Sequence, residues 1–211
     1  MNIIESLKWR YAVKKFDAEK KLTESQILTL KEAFNLTATS YGLQPLKMLV
    51  INNKSIQEKL LPFSFNQQQI VQASHLLVIC VQENYTTSEV EKYFNLLQKV
   101  RKTPVAVIQP FKDFLTQEIA KKTQDELFIW NKNQAYIALG NLMTVCASQK
   151  IDACPMEGFL PEKYAEVLDL KSKNLKAVLV LPVGFRAEDD FMKDLSKIRK
   201  ELSETIIEIT Q

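Results

Sequence analysis

The sequence predicts an α+β or α/β fold, and three observations carry the prediction. Residues 75–82, His-Leu-Leu-Val-Ile-Cys-Val-Gln, are a continuous apolar run of strand length, the pattern of a central strand covered on both faces. Several other stretches repeat apolar residues at helical spacing. Residues 130–150 are apolar over most of a helical circumference, which marks a core or subunit-interface helix. Many helices with three or four strands and no repeat or linker leave both layered classes open.

The elements follow in order. Residues 3–11 place Ile3, Ile4, Leu7 and Tyr11 at helical spacing. Thr23 with Gln26 reads as a capping box opening a helix to about Leu36 that buries Ile27, Leu30, Ala33 and Phe34. A loop over 37–45 leads to a strand at 46–52. Ser55 is expected to cap a short helix, and a second short helix is expected over 66–72. After the strand at 75–82, residues 88–100 are amphipathic. Pro104 and Pro110 bracket a weaker segment, and 111–127 is again helical before the long helix. Pro161 begins another helix, 175–183 is a third apolar strand, and a short helix is expected near 190–195. Residues 205–210, Thr-Ile-Ile-Glu-Ile-Thr, form a β-branched strand without a local hairpin partner. It must pair with something distant or with another chain.

Composition removes whole function classes. The 211 residues contain four glycines, Gly42, Gly140, Gly158 and Gly184, where an average chain carries roughly 7%. Their spacing admits no dinucleotide fingerprint, P-loop or nucleophile elbow. The one histidine, His75, and three cysteines, Cys80, Cys146 and Cys154, without a C-x-x-C pair, fit no standard zinc or iron–sulfur set. A sparse, odd cysteine count points to a reducing compartment. A net charge of +3 is too mild to imply nucleic acid or membrane binding. No signal-peptide h-region and no 18-residue apolar window occur. The expectation is a soluble cytoplasmic protein, one domain over 1–211.

No acid–base or nucleophile constellation stands out. Cations beside loops do: Arg10 and Lys14 near one end, Lys197 and Arg199 near the other. Guanidinium and ammonium groups can bind phosphate where no glycine cradle exists. The plainer reading, solvated surface charge, outweighs this on pattern alone. The residues by themselves reach a soluble domain with a candidate anion site.

The chain resembles the FMN-dependent nitroreductase family, in its NAD(P)H nitroreductase and dihydropteridine reductase branch. The resemblance is carried by residues 7–17 (Leu-Lys-Trp-Arg-Tyr-Ala-Val-Lys-Lys-Phe-Asp), 38–45, Phe65-Asn66 with Gln69, 73–75, 154–159 (Cys-Pro-Met-Glu-Gly-Phe), 181–185 and 197–199 (Lys-Ile-Arg). Each motif is weak alone; together, in order and at compatible spacing, they cover essentially the whole length. The resemblance implies an α+β nitroreductase-like fold, with a central mixed sheet flanked by helices. It also implies a domain-swapped homodimer, the C-terminal strand joining the partner's sheet.

It further implies bound FMN, with NADH or NADPH as donor. Arg10, Lys197 and Arg199 would clamp the phosphate. Lys14 and Asn66 would face the pyrimidine end of the flavin, and the backbone of Glu157 and Gly158 would face N5 and O4. Tyr11, Ala12, Gln69, Pro155 and Met156 would line the site. Thr39, Ser40 and Gly42 would come from the partner subunit. Tyr41, Phe111 and Phe114 would form an aromatic lid. The implied chemistry is hydride transfer to flavin N5 and then to nitroaromatics, quinones or similar small-molecule acceptors, by a ping-pong mechanism, with no catalytic side chain and no metal. Alternatives are the same fold with another acceptor (a dihydropteridine, a dehalogenation substrate, reduced-flavin chemistry) or a flavin store without turnover. His75 and the cysteines read as structural, Trp130 and Tyr136 as packing residues, and Glu157 as a backbone contributor.

The chain departs from the family pattern at four positions. Ala12 stands for a usual serine, Gln69 for a common lysine, Gly42 for asparagine and Leu46 for tryptophan. With Gln69 neutral, less positive charge surrounds the flavin pyrimidine. The bound flavin is predicted to have a lower potential than in lysine-bearing members; a redox titration giving a higher one contradicts this.

Overall fold

The computed structural model describes residues 2–210. Helices α1 (Ile3–Trp9) and α2 (Glu24–Asn35) precede strand β1 (Leu46–Ile51). Helices α3 (Lys54–Leu60) and α4 (Gln69–Gln72) lead to β2 (His75–Gln82). An excursion of three helices follows, α5 (Thr87–Arg101), α6 (Val105–Ala120) and α7 (Gln124–Ser148). The chain continues through β3 (Asp152–Ala153), α8 (Pro161–Leu168), β4 (Leu175–Gly184) and α9 (Leu202–Thr205).

The strands form one sheet in the order β1-β2-β4-β3. Every neighbouring pair is antiparallel. The α+β class stands, but the mixed sheet is corrected within the described residues: the parallel contact is an isolated bridge between Ala12 and Ala153. The excursion through α5–α7 returns the chain reversed, so β4 runs against β2.

Strand alternation explains why β2 is apolar throughout. Leu76, Val78 and Cys80 point to one face, against Val180, Phe159, Tyr164 and the incoming Val13 and Phe16. Leu77, Ile79 and Val81 point to the other, against Leu30 of α2 and Ala135, Leu139 and Leu142 of α7. Burial of such side chains stabilises the fold by roughly 1.5–3 kcal/mol each. A third apolar cluster ties α5, α6 and α7 together through Val90, Phe94, Leu115, Ile119 and Leu127.

Several local expectations hold at atomic detail. Thr23 accepts from Gln26 N while Gln26 reaches back to the Thr23 N–H. A second capping box, Thr123 with Glu126, opens α7. That box corrects the sequence reading of one helix over 111–127: α6 stops at Ala120 and α7 starts afresh. Helix α6 also runs through Pro110. The α3 cap is Asn53, whose side chain accepts from Ile56 N, rather than Ser55. The second short helix shrinks to Gln69–Gln72 because Phe65 and Asn66 both adopt left-handed backbone. The expected helix near 190–195 is a series of turns. Residues 206–210 carry no strand pairing within the chain, and Ile207 and Ile209 are about nine-tenths exposed.

His75 is structural, as expected. Ser74 Oγ accepts from Leu22 N at 2.8 Å and lies 2.9 Å from His75 Nδ1. Either partner can donate in this pair, so the contact satisfies both neutral tautomers of the ring. Burial lowers the His75 pKa below its ordinary 6.5. The unfolded chain therefore binds the proton first as pH falls. This contribution to stability is complete above about 6.5 and drains below it. Thermal unfolding from pH 7.5 to 5 is expected to show a steeper loss of Tm in the wild type than in His75→Gln; parallel curves contradict the lowered pKa.

Candidate functional site

The site is organised by the extended segment that follows α1. The helix ends at Arg10, whose backbone is extended while its N–H still bonds Ser6 O at 3.1 Å. Ala12 then bridges Ala153, and Phe16 bridges Arg186. Asp17 N donates to Phe185 O at 2.8 Å, and Ala187 N to Lys15 O at 2.9 Å. Val13 and Phe16 enter the core. Two buried side chains thus fix the segment, and Arg10, Tyr11 and Ala12 are left to line a groove.

That groove, about 650 Å³, lies between Arg10, Tyr11 and Ala12 on one side and Met192, Lys197 and Arg199 on the other. The Lys197 ammonium donates to the Arg10 carbonyl, joining residues 187 positions apart. Burial, and then the Arg199 charge, lower the pKa of Arg10. Burial, Arg10 and Arg199 lower that of Lys197. Among the described residues none of these three cations pairs with a carboxylate. Arg10 and Lys197, each lowered by its cationic neighbours and with no acid among them, make this groove a candidate anion site.

The wall behind the cations contains residues that sequence reasoning missed. Arg186 donates from Nε to Asp152 Oδ1 and from its backbone N to Asp152 Oδ2, both at 2.8 Å. The Asp152 side chain is 5% exposed. The Arg186 guanidinium lies 4.2 Å from the Trp9 ring centre and 4.5 Å from that of Tyr11, and Lys150 lies 4.2 Å from that of Trp9. Asp190 Oδ2 accepts from Lys14 N at 2.9 Å and from Lys15 N and Tyr11 Oη at 3.2 Å. Burial pushes the Asp190 pKa up, but these donors and Met192 N–H outweigh it and leave it lowered. In the sequence, Arg-Ala-Glu-Asp-Asp looks like a solvated charge run, so nothing marked Arg186 or Asp190.

A second limb carries the other expected residues. Gln67 Nε2 donates to Gly158 O at 2.9 Å, and a Cβ added at Gly158 would sit 3.0 Å from that same nitrogen. A side chain there would need the flexible end of Gln67 to give by a few tenths of an ångström. Tyr136 Oη donates to Glu157 Oε1 at 2.7 Å. Met156 is held in a bridge to Val180, and half-buried Pro155 precedes it. Asn66, in left-handed backbone, adjoins Gln67 and donates its N–H to Leu61 O. Gln69 is buried and hydrogen-bonded to the Cys154 sulfur. Burial raises the Cys154 pKa against the opposing charge of Lys14. Lys14, Gln69 and Cys154 therefore share one neighbourhood.

The remaining expected residues lie elsewhere. Thr39 borders a separate groove of about 620 Å³ along β1, with Leu46, Met48 and Val50. It shares no residue with the cationic groove. Ser40 N donates to Gln134 Oε1 of α7 at 2.8 Å. Gly42 has φ +74°, and an added Cβ would lie 3.3 Å from the Tyr93 ring. Next to it Tyr41, half exposed, meets Phe111 edge-on with centroids 6.1 Å apart. Phe111 stacks on Phe114 at 13°. One chain thus assembles the cations and the 154–158 limb, and holds the 39–42 loop and its aromatics apart from the cationic groove.

Fold and site together define an α+β protein whose two ends bring Arg10, Lys197 and Arg199 to one groove. The nitroreductase family model matches residues 7–185, and the chain belongs to that family. A Staphylococcus haemolyticus protein provisionally named an NAD(P)H nitroreductase is 34% identical over 213 aligned positions, covering 97% of this chain and 95% of that one. The fold is shared with a nitroreductase-type protein of Bacillus subtilis, with TM-score 0.86, 16% identity and 98% of each chain covered. It is shared also with one from Exiguobacterium sibiricum solved in complex with FMN, with TM-score 0.84, 18% identity, and 99% and 98% covered.

The Asp152–Arg186 pair gives a stability test. Replacing Arg186 by Met leaves a buried carboxylate without its counter-charge, which costs about 3–5 kcal/mol. Urea unfolding is expected to show a loss of that size; a loss below about 1 kcal/mol would mean that Asp152 is solvated instead.

Proposed function

We propose that the chain is an FMN-dependent oxidoreductase that draws electrons from NADH or NADPH and reduces nitroaromatics, quinones or similar small acceptors. The observation that carries this reading is the unpaired cation cluster of Arg10, Lys197 and Arg199 in a groove large enough for a cofactor's phosphate end. The donor set fits a phosphate dianion, which guanidinium and ammonium groups bind by charge-assisted hydrogen bonds. When bound, FMN accepts a hydride at N5 and hands reducing equivalents to the acceptor in a second half-reaction.

The chain's own residues bind and orient. Arg10, Lys197 and Arg199 hold the phosphate. Lys14, with Asn66 and Gln69, serves the pyrimidine end, where a positive charge favours the reduced anion. Gly158 and Glu157 present backbone at the reacting edge, and Tyr11, Ala12, Pro155 and Met156 line the ring. Tyr41, Phe111 and Phe114 supply an aromatic wall against which planar acceptors stack and water is excluded.

The assembly we propose is a homodimer, each copy lending Thr39, Ser40 and Gly42 to the other's site. Helix α7 exposes Ile129, Tyr136 and Ile137, and a Cβ added at Gly140 meets nothing within 4 Å. The space over Gly140 leaves that face of the helix open to close packing by a second copy. Strand β1 is the longer edge of the sheet and flanks the 620 Å³ groove. The exposed apolar residues Ile206, Ile207 and Ile209 suit addition to such an edge in a partner. A cytoplasmic setting is supported by three buried unpaired thiols, with burial raising Cys80 and Cys146 to about 12. No described helix is long and apolar enough to cross a membrane.

The test is anaerobic. Purified protein is expected to be yellow, to bleach with NADH or NADPH, and to recover colour with menadione or a nitroaromatic. Bleaching without recovery favours a flavin store, and absence of flavin uptake overturns the proposal. Light scattering of the flavin-bound protein is expected to give a dimer mass; a monomer rules out the shared site.

A further inference from the structure

Asp190 is a buried carboxylate that the proposed chemistry does not use. It is 4% exposed. One oxygen, Oδ2, collects the Lys14 N–H, the Lys15 N–H and the Tyr11 hydroxyl. The other, Oδ1, takes the Met192 N–H at 2.9 Å. Its acceptor sites are thus directed at two pieces of backbone far apart in sequence. The first piece carries Arg10, Tyr11 and Lys14. The second leads within a few residues to Lys197 and Arg199. The neighbouring Asp189, by contrast, is exposed and paired with the Lys15 ammonium.

We propose that Asp190 is a positioning residue for cofactor binding: it fastens the Arg10–Lys14 segment to the start of the Lys197–Arg199 arm and so sets the two halves of the anion clamp against each other. This rests on the flavin reading above. The role requires a carboxylate. Oδ2 serves three donors at once, and only an anionic oxygen rewards that convergence. An asparagine of the same shape must present an NH₂ group either to Met192 N–H or to the cluster on Lys14, Lys15 and Tyr11, donor against donor. The carboxylate also spends its acceptor capacity on backbone and phenol donors, so it does not cancel the clamp's charge through an ion pair.

The experiment compares wild type, Asp190→Asn and Asp189→Asn. FMN is titrated into FMN-free protein, and the midpoint potential of the bound flavin is measured. Hydrogen exchange over residues 11–17 is followed by mass spectrometry. Asp190→Asn is expected to weaken FMN binding at least tenfold, to lower the flavin potential as the Lys14 segment loosens, and to speed exchange at Lys14 and Lys15. Asp189→Asn removes the same formal charge one residue away and is expected to stay within about twofold of wild-type affinity. If Asp190→Asn only lowers Tm while affinity and potential remain those of wild type, Asp190 is structural and the proposal is overturned. Equal losses in both variants overturn it too, since net charge then explains the effect. Should Asp190→Asn not fold, Tyr11→Phe removes one donor alone, and a smaller shift of affinity and exchange in the same direction is expected; unchanged exchange overturns the proposal. Wild type that takes up no FMN sinks the flavin reading instead, and inorganic phosphate then replaces FMN as the probe for the same variants.

Discussion

The fastening of residues 10–17 to the strand ends around them is the constraint on which the rest of the molecule depends. The segment has no secondary structure strong enough to hold itself. It is extended because Val13 and Phe16 are drawn into the core beneath β2 and β4. Its backbone groups find partners on the backbone of Ala153, Phe185 and Ala187 and on the side chains of Asp190 and Gln72. The sheet therefore comes first, and the segment is laid across its end. Arg186, at the end of β4, then locks that arrangement by pairing with Asp152 and filling the space between Trp9 and Tyr11.

Bringing three cations together from opposite ends of the chain has a cost. Closing a loop of 187 residues is entropically unfavourable, although only logarithmically so in its length. Mutual repulsion adds to this, as the lowered pKa values of Arg10 and Lys197 report. No ion pair offsets it, whereas the nearby Arg186 is fully paired. The two treatments of positive charge differ in kind. A paired arginine braces the wall, whereas the three cations lie without a carboxylate among the described residues. With only four glycines available for backbone cradles, the proposed anion site has to be built from side chains.

What could be read in the sequence follows from how local the determining physics is. Strand β2 was legible because burial on both faces removes any polar alternation. The box of Thr23 and Gln26 was legible because its partners lie three residues apart. Arg10, Lys197 and Arg199 could be picked out as cations beside loops, but only the family resemblance brought them together, since nothing local says that they meet. Asp190, Arg186 and Gln67 were not legible at all. Their roles are set by partners as much as 179 residues away, and their neighbours make them look like ordinary surface polar residues. Pro110 misled in the other direction. It denies α6 one backbone hydrogen bond, yet Leu115 and Ile119 anchor the helix firmly enough to continue through it.

The features left unfinished by the single chain all have the same character. The 39–42 loop, the open β1 edge, the bare face at Gly140 and the apolar tail each present a surface suited to protein, with nothing in the chain to cover it. If one second copy covers all four, the cofactor contacts and the subunit contacts become a single cooperative unit. A ligand touching both copies binds the assembled state and not the separated one, so it stabilises assembly in proportion to its own affinity. The positioning of Arg10 and Lys14 within one chain is then only half of the preorganisation. In such an assembly the rest would lie in how α7 of one copy meets the other, along exposed Ile129, Tyr136 and Ile137 and the open space over Gly140.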